Sequence, residues 1–201
     1  MTGGATLTRD KDEKIPPRLR ILAAAAELFY RHGIRAVGVD AIAEAAGTNK
    51  MTLYRHFDSK DELVAEYLRQ AAKQADSCWD GYNSAHPDDP VAQIRAWLAE
   101  MADHLANADE RGCALANAAV ELPEKDHPAR RVIEEFKVAQ RRKLIELCRA
   151  AGLSEPDMLA DELHLLLEGA RVTSQSVGAD GLGTRLMRMG EAMIAAHAAK
   201  P

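Results

Sequence analysis

Apolar positions recur along this chain at intervals of three and four, punctuated by glycine and proline, and two-residue alternation is absent. After Pro16 and Pro17, the positions Leu19, Leu22, Ala25, Ala26 and Phe29 mark a first helix that Gly33 stops. Ile42, Ala43 and Ala46 mark the inward side of a second helix over about 40–46, closed by Gly47. Leu53 and Phe57 do the same for a third over about 50–57, with Asn49 as its N-cap. Ser59-Lys60-Asp61-Glu62 has the form of a capping box and opens a long helix to about Gly81, with Leu63, Tyr67, Ala71 and Gln74 along one side. Beyond the break at Pro87 and Pro90, the positions Val91, Ile94, Trp97, Leu98, Met101 and Leu105 predict a fifth helix ending near Ala108. A short sixth covers Cys113 to Leu122, before Pro123. The seventh starts at His127 and Pro128 and runs through Val132, Ile133, Phe136, Leu144, Ile145 and Cys148 to Gly152. An eighth carries Leu159, Leu163, Leu166, Leu167 and Ala170 from Pro156 to about Gly178, and a ninth covers Leu186 to Ala199 after Gly181 and Gly183. The expected fold class is all-α, with nine helices and no internal repeat.

Composition agrees: only 4% of residues are aromatic, and alanine and leucine abound, which favours helix over sheet. No apolar run reaches the roughly 18 residues that a membrane span needs. Residues 1–14 read as a polar, mobile tail without the apolar centre of a signal peptide, so a cytoplasmic protein with no membrane partner is expected. Cys78, Cys113 and Cys148 are too far apart for a disulfide framework or structural zinc site. There is no glycine-rich phosphate loop, Gly-x-Ser-x-Gly or metal-spaced histidine pair, so no enzyme, cofactor or metal is expected. The formal net charge of −5 is unevenly spread. Residues 1–60 hold 10 Lys/Arg against 7 Asp/Glu, and residues 61–201 hold 16 against 24. A basic N-terminal unit that can meet a polyanion therefore sits on an acidic body.

The second and third helices, joined by a tight turn at Gly47, outline a helix-turn-helix. Three runs resemble the DNA-binding head of TetR/AcrR regulators. They are Ile42-Ala43-Glu44-Ala45-Ala46-Gly47, Thr52-Leu53-Tyr54-Arg55-His56-Phe57 and Ser59-Lys60-Asp61-Glu62-Leu63. Gly112-Cys113 and Asn117-Ala118-Ala119 are similar to a pattern in the bodies of some members. Two positions depart from the pattern. Val37-Gly38 stands where a Thr or Ser cap is usual, and Met51 stands where Gly or Pro precedes Thr-Leu-Tyr.

The resemblance implies a tail over 1–14, a DNA-binding head over 15–60 and a ligand-binding and dimerisation body over 61–201. It implies a homodimer on a near-palindromic duplex operator, usually a repressor released by a small-molecule effector. Tyr54, His56 and Lys60 are then expected at phosphates, and Lys50, Met51, Thr52 and Arg55 at base edges, where Lys50 and Arg55 can donate to guanine and Met51 can meet a thymine methyl. The dimer surface is expected on the last two long helices, through Leu159, Leu163, Leu166, Ala170, Leu186, Met189, Met193 and Ile194. Small residues there, including Gly169 and Gly190, permit close approach.

An effector pocket needs apolar walls with a few polar groups. The candidates are Trp79, Trp97, Met101, His104, Cys113, Asn117, Glu121, Phe136, Gln140, His164, Glu168 and Arg171. Cys113, at the start of a short helix, also suggests a thiol that senses electrophiles or oxidants. A helical module that binds another protein instead of DNA is a further alternative. Neither effector, operator nor direction of regulation is written in the sequence.

Overall fold

The computed structural model describes residues 15–106 and 111–198, so the expected tail over 1–14 and the ends of two helices expected at Ala108 and Ala199 lie outside the described residues. Nine helices and no strand are found among those described: α1 (Pro17–His32), α2 (Val39–Ala45), α3 (Lys50–His56), α4 (Lys60–Ala85), α5 (Pro90–Ala106), α6 (Ala114–Glu121), α7 (Pro128–Ala150), α8 (Pro156–Val177) and α9 (Leu182–His197). Their ends follow from local chemistry. Asn49 accepts the amide of Thr52, Ser59 accepts that of Glu62, and His127 Nδ1 accepts that of Ala129. Ser59 thus caps as expected, while the Glu62 carboxylate turns instead to Arg69, 2.9 Å away. Two boundaries differ from the sequence reading. α4 runs on to Ala85, because Trp79 and Tyr82 continue its buried stripe past Gly81. α9 starts at Leu182, which is itself buried.

The core has two halves. One joins α1–α3 to the first turns of α4, to α6 and to the start of α7, through Leu22, Phe29, Ile42, Leu53, Leu68, Leu115 and Ile133 among others. The other fills the space between α5, α7, α8, α9 and the end of α4, through Trp97, Leu98, Leu144, Leu163 and Leu186 among others. The head therefore shares its core with α6 and α7 and is not packed on its own. α4 serves both halves; its 26 residues span about 39 Å at 1.5 Å per residue. In α1 the inward place expected for Leu19 belongs to Ile21: Leu19 is exposed and Ile21 fully buried.

The structure places most of the expected dimer stripe in the protomer's own core. Leu159, Leu163, Ala170, Leu186 and Ile194 are all buried inside one protomer, and Leu166 and Met193 pack against the same core. Of the eight residues only Met189 is exposed. Gly190 does permit close approach, but to α5: a Cβ there would lie 2.6 Å from Leu98 Cδ1. The outward face of α8 instead carries Met158, Leu165 and Val172, with Gly169 between the last two. Seven-residue spacing puts Met158, Leu165 and Val172 on one line along the helix.

Candidate functional site

The turn between α2 and α3 is closed by two backbone bonds, Gly47 N–H to Glu44 O and Thr48 N–H to Ala43 O, both at 2.9 Å. This pairing needs Gly47 in the left-handed region, where its φ is +60° and a side chain would be strained. Arg20 of α1 donates to Gly47 O from beneath. Leu53 and Phe57 are buried and fix the rotation of α3. Its other side is then turned to solvent: Met51 is 85% exposed, and Lys50, Tyr54 and Arg55 are exposed as well. Thr52 and His56 are half-buried, and His56 Nε2 is buried without a hydrogen-bond partner. Lys50 has only a loose pairing with Asp40, at 3.5 Å. Lys60 stands apart from this face. Its ammonium donates to Ile34 O at 2.7 Å and lies 5.9 Å from the Phe29 ring centroid, and burial pulls its pKa below the ordinary lysine value. Lys60 thus ties α4 to the α1–α2 loop.

Below the head, α1, α4, α5, α6, α7 and α8 line a cavity of about 910 Å³. Nine of the twelve expected pocket residues line it: Trp79, Trp97, Met101, His104, Cys113, Phe136, Gln140, His164 and Arg171. Three do not. Asn117 and Glu121 face a small crevice between α6 and the head, on the side of α6 that Ala114 and Ala118 share, while Leu115 takes the cavity side. Glu168 backs the wall instead of lining it. Its Oε1 accepts from Lys137 Nζ at 2.8 Å and from Arg171 Nη1 at 2.6 Å. Burial works to raise its pKa, but Lys137 and Arg171 outweigh it and hold the carboxyl below the ordinary range. Burial and Lys137 push neighbouring His164 below the ordinary histidine value.

The Gln140 amide is already engaged, since it accepts from Trp79 Nε1 at 2.7 Å and donates to Asp76, which also binds Lys143. Trp79 stacks on Trp97 and meets Tyr82 edge-on. Glu100, not anticipated from sequence, accepts from Tyr82 Oη at 2.7 Å, and burial, with the nearby Glu100 charge, raises the Cys78 thiol. Cys113 is half-buried in the wall near the head.

The cavity and the head meet at one junction. Tyr30 of α1 accepts the Arg111 amide at 2.8 Å and donates to Gly112 O at 3.1 Å, while Arg111 Nη1 donates back to Tyr30 O. Arg111 O also accepts from Asn117 and from Gln175 of α8. Gly112 has φ +75°, where a side chain would be strained, and a Cβ there would also come 2.6 Å from Gln175 Nε2 and push that amide aside. Nearby, Glu121 Oε2 accepts the amides of Ile34 at 2.6 Å and Arg35 at 3.3 Å, and Arg35 Nε donates to Glu121 O at 2.7 Å. Glu121 is therefore the body's grip on the α1–α2 loop. Glu121→Ala is expected to leave these amides without an acceptor, at about 1–3 kcal/mol. Amide exchange at Ile34 and Arg35 then quickens by about tenfold or more, and Glu121→Gln, which keeps an acceptor, gives a smaller change. Equal exchange in Glu121→Ala and the parent would show that the grip is not felt.

Residues 21–67 match the family described as bacterial regulatory proteins, tetR family. Over 60 residues the chain is 47% identical to the HTH-type transcriptional repressor KstR2 of Rhodococcus jostii, a match that covers 30% of this chain and 29% of that protein. Against this relative the likeness is confined to less than a third of its length. Solved structures extend it. A TetR-family transcriptional regulator from Streptomyces coelicolor is 27% identical, with a TM-score of 0.86 over 91% of this chain and 96% of its own. A structure from Streptomyces avermitilis, assigned to the same regulators, is 30% identical over 91% of this chain and 98% of its own, with a TM-score of 0.79. The chain belongs to the TetR family. The matched segment ends inside α4, so the TetR family model covers the α2–α3 unit and its support, and stops short of most of the cavity wall. Around that cavity, the TetR likeness rests on the shared architecture of the whole chain.

Proposed function

We propose that this TetR-family chain is a DNA-binding transcriptional regulator, acting in the cytoplasm as a two-fold homodimer whose hold on a near-palindromic operator is set by a small molecule in the cavity. The observation that carries it is the rotation of α3, which buries Leu53 and Phe57 and leaves Lys50, Met51, Tyr54 and Arg55 outward. A short helix with such a face fits a major groove. Lys50 and Arg55 supply donors to base edges, Met51 an apolar contact, and Thr52 the inner margin of the same face. Tyr54 and His56 are suited to phosphates. Lys60, bound to Ile34 O, supports the head from behind and leaves the phosphates to them.

The cavity fits the effector role because its wall includes Tyr30, whose hydroxyl holds the α6 entrance. A ligand that prefers one position of this junction shifts the spacing of the heads, and operator affinity changes by that preference alone.

Binding to promoter duplexes, followed by anisotropy across a salt series, tests the reading. Affinity is expected to fall steeply with salt, by close to one log unit of slope per phosphate contact. Arg55→Ala is expected to relax preference at one base pair, worth about 1–3 kcal/mol, while Tyr54→Phe weakens all sequences alike. Salt-independent association with a protein partner and none with DNA would favour the interaction module and overturn this reading.

A further inference from the structure

Two mostly buried cations share one carboxylate in the cavity wall. Lys137 and Arg171 both donate to Glu168 Oε1, and the three side chains are 23%, 21% and 27% exposed. Lys137 and Arg171 line the cavity while Glu168 lies behind them. A positive excess therefore faces this part of the space. Arg171 Nη2 donates to Met101 Sδ at 3.4 Å, a weak acceptor for a guanidinium.

Two carboxylates also line the space: Glu27 is exposed at its margin beside Arg31, and Glu100 is already engaged. Glu100 accepts from Tyr82 Oη at 2.7 Å and has His104 Nε2 at 3.5 Å. Trp79 is stacked on Trp97 and has the Lys143 ammonium 5.8 Å from its centroid, so its ring is not free for a cationic guest.

From this we propose that the cavity takes an amphipathic organic anion, with its acid group on Arg171 and Lys137 and its apolar body along Trp97, Leu105 and Phe136. The assignment rests on the cavity being the effector site and names the chemical class that it accepts. A carboxylate oxygen would replace the thioether at Nη2 with a charge-assisted bond, and would complete the one-to-one pairing that Glu168 leaves unfinished. The volume of about 910 Å³ admits a guest of this kind with a substantial apolar body.

The only tryptophans of the chain, Trp79 and Trp97, both line the cavity and report its occupancy by fluorescence. The probes are dodecanoate, dodecanol and dodecyltrimethylammonium, each titrated below its micelle concentration into the full-length protein. Dodecanoate is expected to bind about ten- to hundredfold tighter than dodecanol, as a charge-assisted contact implies, with the ammonium weakest. Arg171→Met removes the excess without orphaning a charge, since Lys137 keeps Glu168. That variant is expected to lose the carboxylate preference and still bind dodecanol. If dodecanol or the ammonium binds as well as dodecanoate, the anion assignment fails while the cavity stands as an apolar site. If none of the three alters the fluorescence, the effector-site reading falls and this assignment falls with it.

Discussion

Glutamate at both Leu165 and Val172 is expected to leave the protomer folded, to part it from its twin and to weaken binding to a palindromic operator by about 10²–10⁴, the range by which linking two modules exceeds one. Both side chains are two-thirds exposed in the single protomer, at 69% and 66%, so charge there costs the fold little. They stand seven residues apart on α8, in line with Met158, and Gly169 between them leaves room for a partner backbone. Met189, Ala192 and Ala196 continue an exposed apolar or small face on α9. Two helices paired with their copies about a two-fold axis form a four-helix interface, and residues near that axis meet their own counterparts. Four glutamates there would repel one another. Sedimentation should show the variant as a monomer, and anisotropy should show it binding a half-site about as well as a full one. A variant that stays dimeric with parental affinity would place the interface elsewhere.

The burial of the expected dimer stripe within the protomer shows where the sequence stops being readable. α8 carries leucine at 159, 163, 165, 166 and 167, so two of its faces are apolar. Helical period identifies both faces and cannot say which one meets the protomer's own core. The head reads more clearly, since Gly47, Asn49, Leu53, Phe57 and Ser59 act within a few residues of their own positions. Caps, left-handed glycines and inward pairs are local matters. The two-ended hold on the α1–α2 loop is not local: Lys60 reaches Ile34 across 26 residues and Glu121 reaches it across 87. In the sequence Lys60 is one more cation beside a DNA-binding motif, and Glu121 one more acid on a short helix. The cavity was legible as a set of residue types on helix faces. Glu168 is the instructive miss, because its step of four from His164 and three from Arg171 puts it on their face, yet two cations draw it behind the wall.

That arrangement sets up the second large effect. Glu168→Gln is expected to destabilise the protein by about 3 kcal/mol, the lower end for removing one partner of a buried ion pair, because the three side chains keep about a quarter of their exposure. For a chain of this size the melting temperature should fall by about 6–12 °C. Two arms separate charge from lost packing. First, with Arg171→Met already present only one cation depends on Glu168, so the same substitution should cost clearly less. Second, the parent's pH dependence has a fixed sign. The folded Glu168 pKa lies below the ordinary carboxylate value of 4.5, so its contribution is complete above that value and is lost as pH falls through the folded one. The Gln variant should lack this share of acid sensitivity. Dodecanoate should also protect the variant more than the parent at equal concentration, since a bound carboxylate would take over the missing counter-charge and a tighter ligand raises the melting temperature further. A variant that melts with the parent, alone and beside Arg171→Met, would mean that the cavity wall carries no charge imbalance for a ligand to answer.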